Sequence, residues 1–126
     1  NGGVMTIEEA KARLAHVDGV MMGRAAYENP GQLLAVDPEI FGAPAPVPDL
    51  KTAVEQLFPY IEKAMSEGAR LNSVTRHLLG LFRSRPGARQ FRRHLATEAV
   101  KPGAGVKVLA DALAFVEDRE LAKSAA

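Results

Sequence analysis

The strongest constraint on this chain's fold is the run Ala43-Pro44-Ala45-Pro46-Val47-Pro48-Asp49. Proline has no backbone N–H to donate, and its ring holds φ near about −65°. Prolines at alternate positions therefore block a helix and an interior strand across 43–49 and favour an extended, fairly stiff spacer. The chain is divided into residues 1–42, a Pro-rich linker at 43–49, and residues 50–126.

Ahead of the linker, Asn1-Gly2-Gly3 is a loop signal. Thr6 followed by Glu9 has capping-box spacing, and Ala10, Ala12, Leu14 and Ala15 continue a helix that stops near His16-Val17. Asp18-Gly19-Val20-Met21-Met22-Gly23 is a short apolar run between glycines, the pattern of a buried parallel strand. Arg24-Ala25-Ala26-Tyr27 begins another helical turn. Asn29-Pro30-Gly31 interrupts it, and Leu33-Leu34-Ala35-Val36 resumes it before Asp37-Pro38. The order helix, strand, helix is half of a crossover unit, and its strand has no sequence neighbour to pair with.

Beyond the linker the pattern is helical throughout. Val54, Leu57, Phe58, Ile61 and Met65 form one apolar stripe closed by Gly68. Leu71, Val74, Leu78 and Leu81 form a second, interrupted at Arg85-Pro86-Gly87. Ala88, Phe91 and Leu95 predict a short third helix ended by Pro102-Gly103. Leu109, Leu113 and Val116 predict a fourth, with Ser124-Ala125-Ala126 frayed at the end. The fold expected is mainly α, a bundle of about four helices.

With 126 residues, 47% hydrophobic and 25% charged, the chain has globular proportions and fits one domain, or a small domain plus a piece of another. No apolar run approaches the roughly 20 residues of a membrane helix, and no basic-then-apolar leader is present. The absence of cysteine removes disulfides, thiolate nucleophiles and thiolate metal sites, so the default compartment is cytoplasmic. Opening on Asn1 rather than methionine reads as a processed chain or a fragment.

The net charge of +1 conceals a segregation. Residues 1–67 hold five bases against ten acids, whereas residues 68–97 hold seven arginines and no acid. On a helix starting at residue 88, Arg85, Arg89, Arg92 and Arg93 share one side, opposite Phe91 and Leu95. Arg76 and Arg83 extend the strip on the preceding helix. Planar, permanently charged donors in a row suit the phosphates of a nucleic acid; the plain alternative is a solvated basic face. Two glycine turns, Asn1-Gly2-Gly3 and Gly23-Arg24, offer unobstructed N–H groups, with a cation at the second, as a phosphate requires; tight turning alone also accounts for them. His77 and His94 read as exposed, with phosphate capping as the alternative, and His16 suits a helix C-terminus. The four methionines read as core fillers, and no spacing indicates a metal.

Asn1-Gly2-Gly3-Val4, combined with Asp18-Gly19-Val20-Met21-Met22-Gly23-Arg24-Ala25-Ala26-Tyr27-Glu28-Asn29-Pro30, resembles the end of the flavin barrel of tRNA-dihydrouridine synthases. Val36-Asp37-Pro38-Glu39-Ile40-Phe41-Gly42, Thr75-Arg76-His77-Leu78-Leu79-Gly80-Leu81-Phe82, Pro86-Gly87-Ala88-Arg89 and Phe91-Arg92-Arg93-His94-Leu95 resemble the A-type subfamily. The likeness runs from residue 1 to about residue 97.

The resemblance implies that residues 1–42 are the last βα segment of an FMN-binding (β/α)8 TIM barrel, and residues 50–126 a helical tRNA-binding domain. Asn1, Gly2, Gly3, Gly23 and Arg24 would then hold the FMN phosphate, and Arg76, Arg83, Arg85, Arg89, Arg92 and Arg93 would face RNA. The implied reaction reduces uridine to 5,6-dihydrouridine in the tRNA D-loop. Reduced flavin gives hydride to C6, a cysteine acid protonates C5, and NADPH restores the flavin. The family's cysteine and first barrel strands lie upstream of the matched motifs, so this chain alone is expected to be inactive. Tyr27 and Phe41 read as packing on the barrel's outer wall, with contact to RNA bases as the alternative. The competing readings are a stand-alone helical nucleic-acid-binding module and a helical adaptor whose arginines meet an acidic protein.

Overall fold

In a computed structural model, which describes residues 1–116, Thr6 takes extended backbone (φ −132°, ψ 160°) and its hydroxyl accepts the Glu9 N–H at 3.1 Å. The Glu9 carboxylate reaches back to accept the Met5 N–H at 2.9 Å, one residue earlier than the usual capping-box partner. Helix α1 (Ile7–Leu14) follows and buries Ile7 and Ala10.

Residues 18–23 do not form the expected strand, and no strand occurs among the described residues. A strand exists only as part of a ladder that completes its N–H and C=O groups, and the described chain supplies no partner. Met21, read as part of a buried run, is 54% exposed. The βα segment is therefore corrected to irregular backbone leading into α2 (Arg24–Glu28). Asn29 breaks α2, and Pro30 opens a 3₁₀ helix, Pro30–Ala35. This passes into α3 (Val36–Phe41), which runs through Asp37-Pro38 instead of stopping before it. Pro38 sits in the first turn, where its missing N–H removes no intrahelical bond. Gly42 ends α3 in the left-handed region at φ 64°.

Residues 43–49 carry no helix or strand. Asp49 then caps α4 (Leu50–Glu55), its Oδ1 accepting the Thr52 N–H at 2.7 Å. The stripe from Val54 to Met65 is two helices rather than one, because α5 (Phe58–Ser66) begins anew after a turn at Gln56-Leu57. Pro59 lies in the first turn of α5; a continuous helix would drive its ring into the Glu55 carbonyl.

The second apolar stripe also departs from a simple helix. α6 (Leu71–Thr75) ends early, and residues 76–85 follow as tight turns with three-residue hydrogen bonds, such as Leu81 N–H to Leu78 C=O at 3.1 Å. Gly80 is a poor helix former, and Ser84 adopts φ 68°, which ends any helical run. The turns carry Phe82 inward, where it meets Phe91 of α7 (Ala88–Glu98) edge-to-face at 4.9 Å and 83°. α8 (Val106–Leu113) packs against α7 and α5.

The chain forms two compact units, Asn1–Val54 and a second beginning at Glu55. Val4, Ile7, Ala10, Ala25, Val47 and Leu50 are buried in the first unit. Ile61, Leu71, Phe82, Phe91, Leu95 and Leu109 are almost wholly buried in the second. No helix among the described residues is long and apolar enough to cross a membrane. None of the four methionines is buried, so the core-filler reading is corrected: branched and aromatic side chains fill both interiors.

Candidate functional site

The basic surface is built on α7. At about 100° per residue, Arg89, Arg92 and Arg93 fall on one side, and Phe91 and Leu95 on the other. The structure keeps this division: the three arginines are exposed and the two apolar residues buried. Arg85 is exposed in the preceding turn rather than on the helix, with its guanidinium 5.9 Å from the centre of the Phe82 ring. Among the described residues no carboxylate pairs with any arginine of the 68–97 block; the ion pairs formed are Lys101–Glu98 at 2.9 Å and Lys107–Asp111 at 2.8 Å. The arginines thus keep their charge available to an external anion.

Gly87 positions α7. It precedes the helix at φ 88°, and a Cβ there would collide with the Phe115 carbonyl and lie within 2.6 Å of its carbon. Only glycine allows the chain following α8 to pass this close to the start of α7.

Arg76 and Arg83 are both exposed, but no helix joins them: Arg76 follows the last turn of α6, and Arg83 lies in the turns beyond it. A groove of about 690 Å³ in the second unit brings Arg76 together with Arg70 and Lys101. Arg70 and Lys101 stand outside the sequence-derived strip. The signal for Arg70 is its membership of the acid-free block; Lys101 lies beyond that block and gives none.

The histidines differ from one another. His77 is exposed, as expected, whereas His94 is half-buried with its ring 5.7 Å from that of Phe115. Its Nε2 is enclosed, with no hydrogen-bond partner among the described residues. The expectation of exposure fails for His94 because it lies three residues from Phe91, close enough to the buried side of α7 for α8's trailing turn to cover it. Glu98, one turn on, is held below its ordinary carboxyl value of 4.5, chiefly by the hydrogen bond it accepts from Lys101.

In the first unit, Gly2 and Gly3 occupy successive positive-φ positions (83° and 76°) with open space where a Cβ would stand. Gly23 precedes α2, its carbonyl accepting from Ala26 and Tyr27, and Arg24 is exposed as the first helical residue. Tyr27 and Phe41 are 65% and 71% exposed. No group of three or more metal-ligating side chains occurs among the described residues.

Residues 1–117 match the family described as Dihydrouridine synthase (Dus). The chain is 60% identical over 116 residues to the tRNA-dihydrouridine(20/20a) synthase of Yersinia pestis, covering 92% of this chain and 34% of that protein. Identity to the protein of the same name in Vibrio parahaemolyticus is 55% over 116 residues, covering 92% and 36%. For the Escherichia coli K12 protein of that name it is 53% over 119 residues, covering 94% and 34%. The chain spans about a third of the length of the curated relatives it matches.

Proposed function

Because this chain belongs to the dihydrouridine synthase family, we propose that it is the C-terminal part of a flavin-dependent tRNA-dihydrouridine synthase. In this reading the second unit grips tRNA through Arg76, Arg83, Arg85, Arg89, Arg92 and Arg93. The first unit contributes Asn1, Gly2, Gly3, Gly23 and Arg24 to the FMN phosphate. The reaction is reduction of a D-loop uridine to 5,6-dihydrouridine, with NADPH as the source of electrons, in the cytoplasm. The observation that carries it is the set of exposed arginines at and before α7, which have no carboxylate partner among the described residues of a family member.

The donors in the first unit fit a phosphate ester. Successive positive-φ glycines present N–H groups that make no hydrogen bond within the described chain, with no side chain to hold an anion away. Gly23 and Arg24 add the free N–H groups of a helix start and a guanidinium. A bound FMN supplies hydride for C6 of the uracil ring. The residues of this chain bind and orient. The first unit neutralises and fixes the phosphate, and the second holds the RNA by its backbone, leaving sequence to be read elsewhere.

The test is binding of folded tRNA across a salt series. A steep loss of affinity with salt is expected, and Arg89→Ala with Arg93→Ala should flatten the slope by about one unit per phosphate contact removed. Binding indifferent to both substitutions would make the acidic-protein adaptor the better reading. A stand-alone nucleic-acid module would bind tRNA equally but gain nothing from FMN. Quenching of flavin fluorescence, weakened by Arg24→Ala, separates the two.

A further inference from the structure

The groove in the second unit shares only Arg76 with the arginine strip. Its walls come from the end of α5, the start of α6 and the link from α7 to α8, and among the described residues it contains Arg70, Arg76 and Lys101 but no acidic residue. Lys101 is engaged by Glu98 at 2.9 Å, whereas Arg70 and Arg76 have no ion-pair partner among the described residues. Asn72 and Ser73 supply polar atoms at the wall. Met65, Leu71, Ala99, Val100 and Pro102 make the rest largely apolar, with Val100 58% exposed to solvent.

Apolar surface beside unpaired guanidinium groups matches the two faces of a nucleotide: a base or ribose on one, a phosphate on the other. A solvated basic face needs no concavity and no exposed valine. The groove borders the C-terminal end of α7, and Ala99 lies ten residues, about 15 Å at 1.5 Å per residue, from Arg89.

We propose that this groove seats one nucleotide of the bound RNA, its phosphate on Arg70 and Arg76 and its base or ribose against Val100 and Pro102. The inference rests on the tRNA-binding reading and adds to it a discrete pocket with apolar contact, where the strip alone offers only phosphate neutralisation.

The experiment measures tRNA affinity and its salt slope for the chain and for Arg70→Ala, Val100→Asp and Arg89→Ala. All three positions are exposed, and far-UV circular dichroism checks that each variant stays folded. Arg70→Ala should weaken binding several-fold and lower the salt slope by about one. Val100→Asp should weaken it by about tenfold at low salt, through lost apolar contact and repulsion of the phosphates, and the part of that loss that persists at high salt, where charge is screened, is the apolar contact. If Arg89→Ala weakens binding while Arg70→Ala and Val100→Asp leave it unchanged, the groove is not a nucleotide seat and the tRNA reading survives. If the unaltered chain does not bind tRNA at all, the underlying reading falls and takes this inference with it.

Discussion

Replacing Gly87 by alanine should be far more damaging than its single added methyl group suggests. The residue stands at φ 88°, where a Cβ costs about 1–2 kcal/mol through local clash alone. The same Cβ would lie within 2.6 Å of the Phe115 carbonyl carbon and 3.0 Å from Val116 Cα. Both neighbours are backbone, so no side chain can rotate away; the segment after α8 must shift as a piece. Val116 is 3% exposed, and uncovering a side chain of that size costs about 1.5–3 kcal/mol. The total, roughly 3–5 kcal/mol, is a large share of the about 5–15 kcal/mol that holds a domain together. The control is Gly68→Ala, which has a similar φ of 105° but nothing within 4 Å of the new methyl and should lose only the conformational part. Thermal unfolding followed by circular dichroism should place Gly87→Ala at least about 6 °C below Gly68→Ala, at about 4–8 °C per kcal/mol for a small domain. Equal melting temperatures would refute the close approach of the chain at Gly87 and Phe115.

Other consequences can be measured on the same scale. Phe91→Ala should destabilise the chain by about 3–5 kcal/mol in urea titration, and a double-mutant cycle with Phe82→Ala should show coupling of about 0.5–1.5 kcal/mol from the edge-to-face pair. Thr6→Ala removes the cap of α1 and should raise amide exchange in its first turn, at a cost of about 1 kcal/mol. The Glu98 carboxyl is lowered on folding, so its contribution is present above its unfolded value near 4.5 and lost as pH falls through the lower folded value. Melting curves below about pH 5 should therefore show a shallower acid loss in Glu98→Gln than in the unaltered chain, by a small margin because the group is exposed. Arg92→Ala should leave the melting temperature unchanged while weakening tRNA binding, since its side chain is exposed and has no acidic partner among the described residues.

Much of this architecture was legible in the sequence wherever a short-range signal decided it. Thr6 and Glu9 announce the start of α1, and Phe91 and Leu95 lie opposite Arg89, Arg92 and Arg93 on α7 as their spacing requires. Pro59 carried the break between α4 and α5, but the apolar stripe running across it concealed the interruption. The αβα reading of residues 1–42 failed at Val20-Met21-Met22 because a strand is defined by what lies beside it, and apolar residues between glycines say nothing of a partner. His94 was misread for the same reason: Phe115 covers it from another part of the chain.

Helix starts, proline breaks and the segregation of arginine from acid are written into the residues, since each acts over one or two turns of backbone. Packing alone determined that Phe82 turns inward, that Gly87 must lack a side chain, and that Arg70, Arg76 and Lys101 border one groove. Those relations join positions up to some thirty residues apart, and no periodicity or local propensity spans that distance; they exist only once the helices have buried a common core.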